Sequence, residues 1–286
     1  MSDRALPALF VSHGSPMIAL EPGETGAFLL RLGPALDAAF ARPRAIVALS
    51  AHTLTREPVL LAAPHHEAVY DIGGFDTRLY AMRYDASGAP VLASRVAELL
   101  GAAGWPVHRV EQGGLDHGIW TPLRYAYPAA DVPVLPLGWS PRESPARLFA
   151  LGEALAPLAD EGVLVLGAGS ITHNLRRVAR VGMHVQSTPP EIPESAAFRA
   201  WFAERAAARD WDALFDYRTR APHAVDMHPS DEHLLPWFIA AGAGGRDATP
   251  QRLHASVTHG VLGMDAYAFG PAAARLAGAL AATVAG

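Results

Sequence analysis

Short apolar runs alternate along the chain with alanine-rich stretches in which apolar residues recur at helical spacing. The apolar runs predict strands at Ala8–Ser12, Ala45–Ser50, Val59–Ala63, Val107–Val110, Val132–Leu137, Val163–Leu166, Leu253–Val257 and Ala266–Phe269. The alanine-rich stretches predict helices at Thr25–Ala41, Pro90–Ala102, Thr121–Tyr127, Pro145–Ala159, Ser195–Ala208, Glu232–Ala241 and Pro271–Val284. Because the predicted strands are continuously apolar, we expect helices to cover both faces of the sheet.

This alternation continues through the whole length of the chain without a change in composition. No pattern repeats with a period of about 20–50 residues, which excludes a solenoid. The proline- and glycine-rich piece Gly182–Pro193 has similar composition on either side, so it is interpreted as a loop. We therefore expect residues 1–286 to form a single α/β domain, a sandwich with a central mixed sheet covered by helices.

The composition of the chain limits the kinds of molecule that the protein is expected to bind and the compartment in which it is expected to act. A hydrophobic content of 50% and a charged content of 18% indicate a buried globular core. The formal net charge of −5, without a cluster of basic residues, argues against nucleic-acid binding. No apolar run reaches the roughly 18 residues of a membrane span. The first residues lack the apolar core of a signal peptide, so the expected location is the cytoplasm. The pattern does not reveal the oligomeric state.

Histidines follow the ends of three predicted strands. His13 comes directly after the first strand, His52 follows the second, and His173 follows Val163–Leu166 by a short glycine-containing turn. In an open α/β sheet the carboxyl ends of the strands converge on one crevice, where ligands bind. The absence of cysteine excludes thiolate ligands, so nitrogen and oxygen atoms must hold any metal. These positions predict a metal site at the carboxyl ends of the strands.

Two further segments carry candidate chemistry. Asp116 stands beside His117 in a glycine-flanked loop, where a carboxylate can orient an imidazole for proton transfer. The alternative is that Asp116 caps the next helix. The segment Ser230–His233 precedes another predicted helix, which Ser230 or Asp231 can cap, with Glu232 and His233 in its first turn.

The glycines Gly167 and Gly169 imitate the start of a dinucleotide-binding fingerprint. The third glycine of that fingerprint is missing, and no acidic residue follows at the position that would bind a ribose. These two departures argue against dinucleotide binding. The adjacent pair His65 and His66 lies near prolines and is expected in an exposed loop.

Several short segments together resemble the class III extradiol ring-cleaving dioxygenases, and more closely their DOPA 4,5-dioxygenase-like branch. They occur in the family's order and at similar spacing over roughly residues 6 to 240. The matching segments are Ser12–Pro16, Leu49–His52, Tyr70–Phe75, Gly114–Trp120, Ser170–Leu175 and Pro229–Pro236. The resemblance implies an α/β sandwich with a non-haem metal at one end of the sheet.

The resemblance also implies roles for individual residues. His13 and His52 would be metal ligands, and the pair Glu232 and His233 would supply a further ligand, with His233 the better match. His173 would be a fourth ligand or a nearby acid/base. His117 would transfer protons during catalysis. Tyr70 stands where the family often has histidine, which puts a substrate-contacting role at that position in doubt.

The implied reaction is ring opening of a DOPA-like catechol with O₂ to a semialdehyde. Fe(II) is expected for activity, and Zn(II) is expected in purified protein because zinc outcompetes iron for such ligands. Two alternatives remain at this point: a zinc hydrolase that uses the same histidines, and a non-catalytic relative with the same fold. Dependence on Fe(II) and consumption of O₂ would distinguish the dioxygenase from the hydrolase.

Overall fold

The structure, a computed structural model, describes residues 5–178 and 189–283. The strands in these residues are β1 (Ala8–Ser12), β2 (Ala45–Ser50), β3 (Val59–Leu61), β4 (His65–His66), β5 (Ala86–Ser87), β6 (His108–Val110), β7 (Val134–Gly138), β8 (Val163–Gly169), β9 (Gln251–His254), β10 (Val257–Thr258), β11 (Leu262–Gly263) and β12 (Ala266–Phe269). The α-helices are α1 (Gly23–Phe40), α2 (Pro90–Ala102), α3 (His117–Ala126), α4 (Pro145–Leu155), α5 (Leu175–Val178), α6 (Pro193–Ala208), α7 (Trp211–Phe215), α8 (Tyr217–Arg220), α9 (Ala224–Met227), α10 (Leu235–Gly244) and α11 (Ala273–Ala282). Short 3₁₀ helices occupy Pro16–Ala19, Thr77–Ala81 and Ala156–Ala159.

Eight of these strands form one sheet in the order β6-β3-β7-β2-β8-β1-β12-β9. The four central strands β7, β2, β8 and β1 are parallel to one another. The sheet is mixed because β12 is antiparallel to both β1 and β9 and because β3 is antiparallel to β7. The parallel block brings the carboxyl ends of β2, β8 and β1 side by side at one edge. The mixed sheet of the predicted fold class is thereby confirmed.

Successive side chains of the central strands pack in two separate hydrophobic cores. On β1, Phe10 packs in the core formed with α4, α6 and α10, whereas Leu9 and Val11 pack in the core formed with α1, α3 and α11. On β2, Val47 packs in the first of these cores and Ile46 packs in the second. Because side chains alternate across a strand, a strand covered on both faces is apolar at every position. The continuous apolar runs therefore predicted the helical covering correctly.

Two differences from the predicted elements concern where helices begin. Helix α3 begins at His117, four residues before the predicted start, because the Asp116 side chain accepts a hydrogen bond from the Gly118 amide at 2.8 Å and caps the helix. Helix α10 begins later than predicted, at Leu235. The predicted strand Leu253–Val257 is divided between β9 and β10. Most of the predicted loop Gly182–Pro193 lies outside the described residues.

None of the helices in residues 5–178 and 189–283 combines the length and the apolar character that a membrane crossing requires.

Candidate active site

A cavity of about 500 Å³ opens at the carboxyl ends of the central strands. Its wall contains five histidines, namely His13, His52, His117, His173 and His233. The parallel arrangement of β2, β8 and β1 explains why histidines that follow different strands reach one place. The clustering expected from the sequence is present in the structure.

Three of these imidazoles offer ligand atoms that lie within 4.8 Å of one another: those of His13, His52 and His233. The ring centroid of His13 lies 5.0 Å from that of His52 and 5.3 Å from that of His233. The Nε2 atom of each ring is buried and has no hydrogen-bond partner among the described residues. Buried polar atoms normally have a partner. Three unpartnered nitrogens that point to one place fit a metal ion, for which imidazole is a common ligand.

The opposite ring nitrogen of each histidine faces an oxygen. The Nδ1–H of His13 donates to the carbonyl of Gly14 at 2.9 Å, and Nδ1 of His233 lies 3.3 Å from Oε1 of Glu232. Nδ1 of His52 lies 3.9 Å from Oδ2 of Asp71. The acceptors of His13 and His233 hold the proton on Nδ1 and leave the Nε2 lone pair for a metal. At these two histidines the surroundings therefore select the tautomer that a metal requires.

Burial keeps these imidazoles neutral. It lowers the pKa of His13 and of His233 well below the usual value, with a smaller contribution from neighbouring histidines. Burial lowers the pKa of His52 to about 3, and the nearby His117 acts in the same direction. Neutral imidazole is the form that binds metal, so at neutral pH the group needs no deprotonation before binding.

The next histidine, His117, has a carboxylate partner that lies far away in the sequence. Its backbone N–H donates to Oδ1 of Asp71 and its Nδ1–H donates to Oδ2, both at 3.0 Å. Burial acts to raise the pKa of Asp71, but the hydrogen bonds and charge of His117 outweigh it, so the pKa is lowered. Asp71 is thus an ionised acceptor that fixes the ring of His117 and leaves Nε2 of that ring as the nitrogen available for proton transfer.

Asp116 does not orient His117, so the first of its two predicted roles is wrong and the capping alternative is correct. Its carboxylate accepts hydrogen bonds from the Gly118 amide, from Ser50 Oγ at 2.7 Å and from Thr53 Oγ1 at 2.5 Å. Burial raises the pKa of this carboxyl group, and the two hydroxyl groups oppose that rise. Asp116 therefore joins the start of α3 to the end of β2.

His233 and Glu232 lie in the turn immediately before α10, and not in its first turn as predicted. Neither Ser230 nor Asp231 caps this helix with its side chain, since Asp231 accepts from Arg218 and Ser230 donates to Glu232. His233 belongs to the group of three imidazoles, and Glu232 contacts the other nitrogen of its ring.

The turn that carries His233 is held against the end of β8. The Ser170 amide donates to the His233 carbonyl at 2.8 Å. A Cβ added at Gly169 would lie only 2.0 Å from that carbonyl oxygen. A Cβ at Gly167 would lie 2.5 Å from the carbonyl oxygen of Pro236 at the start of α10. These two glycines let β8 approach the backbone of the turn before α10 and of the start of α10. This close approach explains a glycine pattern that resembles the start of a dinucleotide-binding fingerprint.

We expect Gly169→Ala to displace His233 and to lower metal affinity by about 10–100-fold, the usual range when the support of a ligand is lost. Metal titration followed by elemental analysis measures the effect. Gly101→Ala in α2 is the matched control, because a Cβ there has no neighbour within 4 Å. Wild-type metal affinity in Gly169→Ala would contradict the proposed dependence of His233 on this approach.

His173 lies at the same cavity but beside the three-imidazole group. Its ring stacks on that of His233, with centroids 3.5 Å apart and an interplanar angle of 7°. Its possible ligand atom groups with those of Glu232 and His233, and not with those of His13 and His52. Burial lowers the pKa of His173 to about 3, and the nearby histidines contribute further. The imidazole is therefore neutral at neutral pH.

Tyr70 faces away from the cavity. Its hydroxyl group donates to the Met82 carbonyl and accepts a hydrogen bond from Arg83 at 2.6 Å. Tyr70 is not among the residues that line the cavity, so its departure from the family's histidine leaves the described wall unchanged. The neighbouring pair of histidines behaves differently from expectation, because His65 is exposed but His66 is fully buried.

Two residues near the site were missed by reasoning from the sequence. Asp71 lies within a segment that carried the family resemblance, but nothing local pairs it with a histidine 46 residues later. His228 is fully buried, and its Nε2 lies 2.7 Å from the carbonyl oxygen of Ile171, two residues before His173. Its position after the short helix α9 carried no signal in the sequence pattern. Asp71 supports His117, a histidine that the sequence did identify.

Known proteins resemble this chain over most of its length. Two relatives are named 4,5-DOPA dioxygenase extradiol. The one from Beta vulgaris is 34% identical over 273 residues, which is 93% of this chain and 97% of the relative. The one from Escherichia coli K12 is 35% identical over 246 residues, which is 85% of this chain and 87% of the relative. The crystal structure of an uncharacterised Escherichia coli K12 protein has a TM-score of 0.74 and 30% identity, covering 93% of this chain and 100% of that chain.

The model of one protein family matches the whole of the central sheet. Its description is the catalytic LigB subunit of aromatic ring-opening dioxygenase, and the match covers residues 7–270. This range contains the five histidines of the cavity and every strand of the central sheet. The match and the named relatives confirm the resemblance found in the sequence, and the chain therefore belongs to the LigB family of extradiol ring-opening dioxygenases.

Proposed function

We propose that residues 1–286 act as one catalytic domain that opens the ring of a catechol with O₂, next to its two hydroxyl groups, and releases a semialdehyde. One observation carries the assignment of this chemistry to the cavity: three imidazoles present buried, unpartnered Nε2 atoms beside a fourth histidine that a carboxylate orients. The names of the relatives make DOPA the first catechol to test.

In this proposal His13, His52 and His233 hold the metal through Nε2. The metal is Fe(II) in the active enzyme, and Zn(II) occupies the same ligands after purification in air. When bound, Fe(II) would supply a Lewis acid and the redox activity that a reaction with O₂ requires. Glu232 orients His233 through Nδ1 and is not itself a ligand.

His117 is the proposed general base for a catechol hydroxyl group. Its Nδ1–H is donated to Asp71, so Nε2 is free to accept the phenolic proton. Asp71 remains ionised and stabilises the imidazolium that results, since an adjacent carboxylate favours the charged form of histidine. The ring of His117 lies 4.0 Å from that of His52, which keeps the proton acceptor next to the metal ligands.

His173 is proposed as a second acid/base that stays outside the metal group. We expect His173→Ala to retain near-normal metal content and to lose kcat by about 10²–10⁴-fold, the usual range for a lost acid or base. Elemental analysis and steady-state kinetics on the same preparation measure both quantities. Loss of the metal together with activity would instead assign His173 as a fourth ligand.

The proposal is tested by anaerobic reconstitution with Fe(II), followed by a panel of catechols. Oxygen uptake and the yellow absorbance of a semialdehyde should appear together, in equal molar amounts. The protein loaded with Zn(II) is the control and should consume no O₂. Turnover of esters or amides by the Zn(II) form, without oxygen uptake by the Fe(II) form, would favour the hydrolase alternative and reject the proposal.

A further inference from the structure

A buried cluster of charged side chains lies outside the wall of the cavity and has no part in the proposed chemistry. The side chain of Asp265 is fully buried, and that of Arg199 in α6 is 9% exposed. Nε and Nη2 of Arg199 donate to the two carboxylate oxygens of Asp265 at 2.8 and 3.1 Å. Arg252 of β9 donates to the same carboxylate at 2.7 Å, and Nη1 of Arg199 donates to both oxygens of Glu191 at 2.9 Å. Two arginines thus balance the charge of two carboxylates.

What this cluster supplies is direction rather than stability. Removing two charges from water costs free energy, and their mutual attraction often does no more than offset that cost. The hydrogen bonds between a guanidinium and a carboxylate have fixed directions, which apolar packing lacks. Arg199 also lies along the chain before Asp265, since a Cβ added at Gly263 would be 2.9 Å from Cδ of Arg199. The cluster therefore fixes the position of residues 263–265, between β11 and β12.

Residues 263–265 contact the chain on both sides of His13. Before His13, Ser12 Oγ donates to the main-chain carbonyl of Asp265 at 2.7 Å, and both residues are buried. After His13, a Cβ added at Gly14 would lie only 2.6 Å from Sδ of Met264. The two neighbours of this histidine are therefore held by the segment that the charged cluster fixes.

The Ser12 hydroxyl group supplies a contact where the pairing of two strands stops. The pairing of β1 with β12 ends with Phe10 opposite Tyr267. Continuing this antiparallel register by two residues places Ser12 opposite Asp265, where the hydroxyl group makes its hydrogen bond. On its other side β1 pairs with β8 as far as Ser12. The hydroxyl group therefore holds the end of β1, directly before His13, on the side of β12.

We propose that Arg199 and Asp265 are positioning residues for the metal site and act on His13 through the Ser12 hydroxyl group. The inference rests on the proposed binding of metal by His13 and adds a support from α6 and the segment before β12. Without this support the backbone before His13 is held by β8 alone, so Nε2 is displaced although no ligand atom is removed. The expected consequence is weaker binding of metal by a protein that remains folded.

Ser12→Ala tests this link, because it removes one hydroxyl group and leaves the ion pairs in place. We expect its affinity for Zn(II), measured by competition with a chromogenic chelator, to fall by about 10–100-fold, the usual range when the support of a ligand is lost. Tyr84→Phe is the matched control. Tyr84 is also buried, lies outside the cavity wall and donates its hydroxyl group to a carbonyl oxygen, that of Tyr127, at 3.0 Å. Its loss should leave the affinity for Zn(II) at the wild-type value.

A double-mutant cycle tests whether Arg199 acts through Ser12. Arg199→Met removes the guanidinium group, and Asp265 retains Arg252 as a partner, so its charge is not left unpaired. If both residues act by one route, Ser12→Ala/Arg199→Met should lose no more affinity for Zn(II) than Arg199→Met alone, because coupled residues are not additive. Losses that multiply would overturn the route through Ser12. Arg199→Lys, which retains the charge, replaces Arg199→Met in the cycle if circular dichroism shows that Arg199→Met does not fold.

Binding of Zn(II) requires neither catechol nor O₂, so this test is separate from the proposed ring opening. His13→Ala is measured beside the other variants. Wild-type affinity for Zn(II) in His13→Ala would reject the metal site, and the positioning role with it. Reduced affinity in His13→Ala but wild-type affinity in both Ser12→Ala and the Arg199 variant would overturn only the positioning role.

Discussion

Replacing His13 or His52 with alanine is expected to lower metal affinity by more than about 100-fold and to abolish oxygen uptake. Each imidazole supplies one of the three unpartnered Nε2 atoms. Loss of a group that only supports a ligand already lowers metal affinity by about 10–100-fold, so loss of a ligand should lower it further. Elemental analysis after dialysis measures the bound metal, and a thermal melt with and without added Zn(II) measures its stabilising effect. In both variants the shift in Tm on adding metal should disappear, because binding stabilises only a folded state that can bind.

The control for this result is His65→Ala. His65 is exposed and lies outside the cavity wall, so its replacement should leave the metal content and the Tm shift intact. Stoichiometric metal in both His13→Ala and His52→Ala would show that the ion is held elsewhere. Treatment of the wild type with a chelator should reproduce the properties of the two variants, and readdition of Fe(II) should restore oxygen uptake only in the wild type.

The second large effect is expected for His117→Ala, which should keep its metal and lose kcat by about 10²–10⁴-fold. His117 lines the cavity and is hydrogen bonded to Asp71, but it is absent from the three-imidazole group. Asp71→Asn should retain metal and lose less activity than His117→Ala, because the imidazole stays in place but loses the negative charge that stabilises its protonated form. Kinetics and metal analysis on the same samples separate an effect on metal binding from an effect on catalysis.

Loss of metal in His117→Ala would contradict this division of roles, since His117 would then belong to the ligands. Asp71 requires a further check, because its carboxylate also lies 3.9 Å from Nδ1 of His52. If Asp71→Asn loses metal while His117→Ala keeps it, the main function of Asp71 is to orient His52. If Asp71→Asn retains metal and activity in full, the hydrogen bond to His117 has no part in proton transfer.

The sheet and the place of the site were predictable because both follow from local patterns. Continuous apolar runs marked β1 and β2 with the bounds found in the structure. His13 and His52 follow those runs closely, and the parallel order of the strands brings them together. Helix starts were less predictable. A side-chain cap at Asp116 moved the start of α3 to His117, whereas α10 begins only at Leu235 without any side-chain cap.

By itself, the sequence determined the fold class, the family and the histidines that can act, because strand and helix periodicity and short motifs are properties of neighbouring residues. Only the tertiary structure decided which oxygen each imidazole faces. Asp71 and not the adjacent Asp116 holds His117, and the end of β8 packs against the turn that carries His233. The physical reason is that a hydrogen bond depends on the direction of a side chain. That direction is set by contacts between segments that lie far apart in the chain.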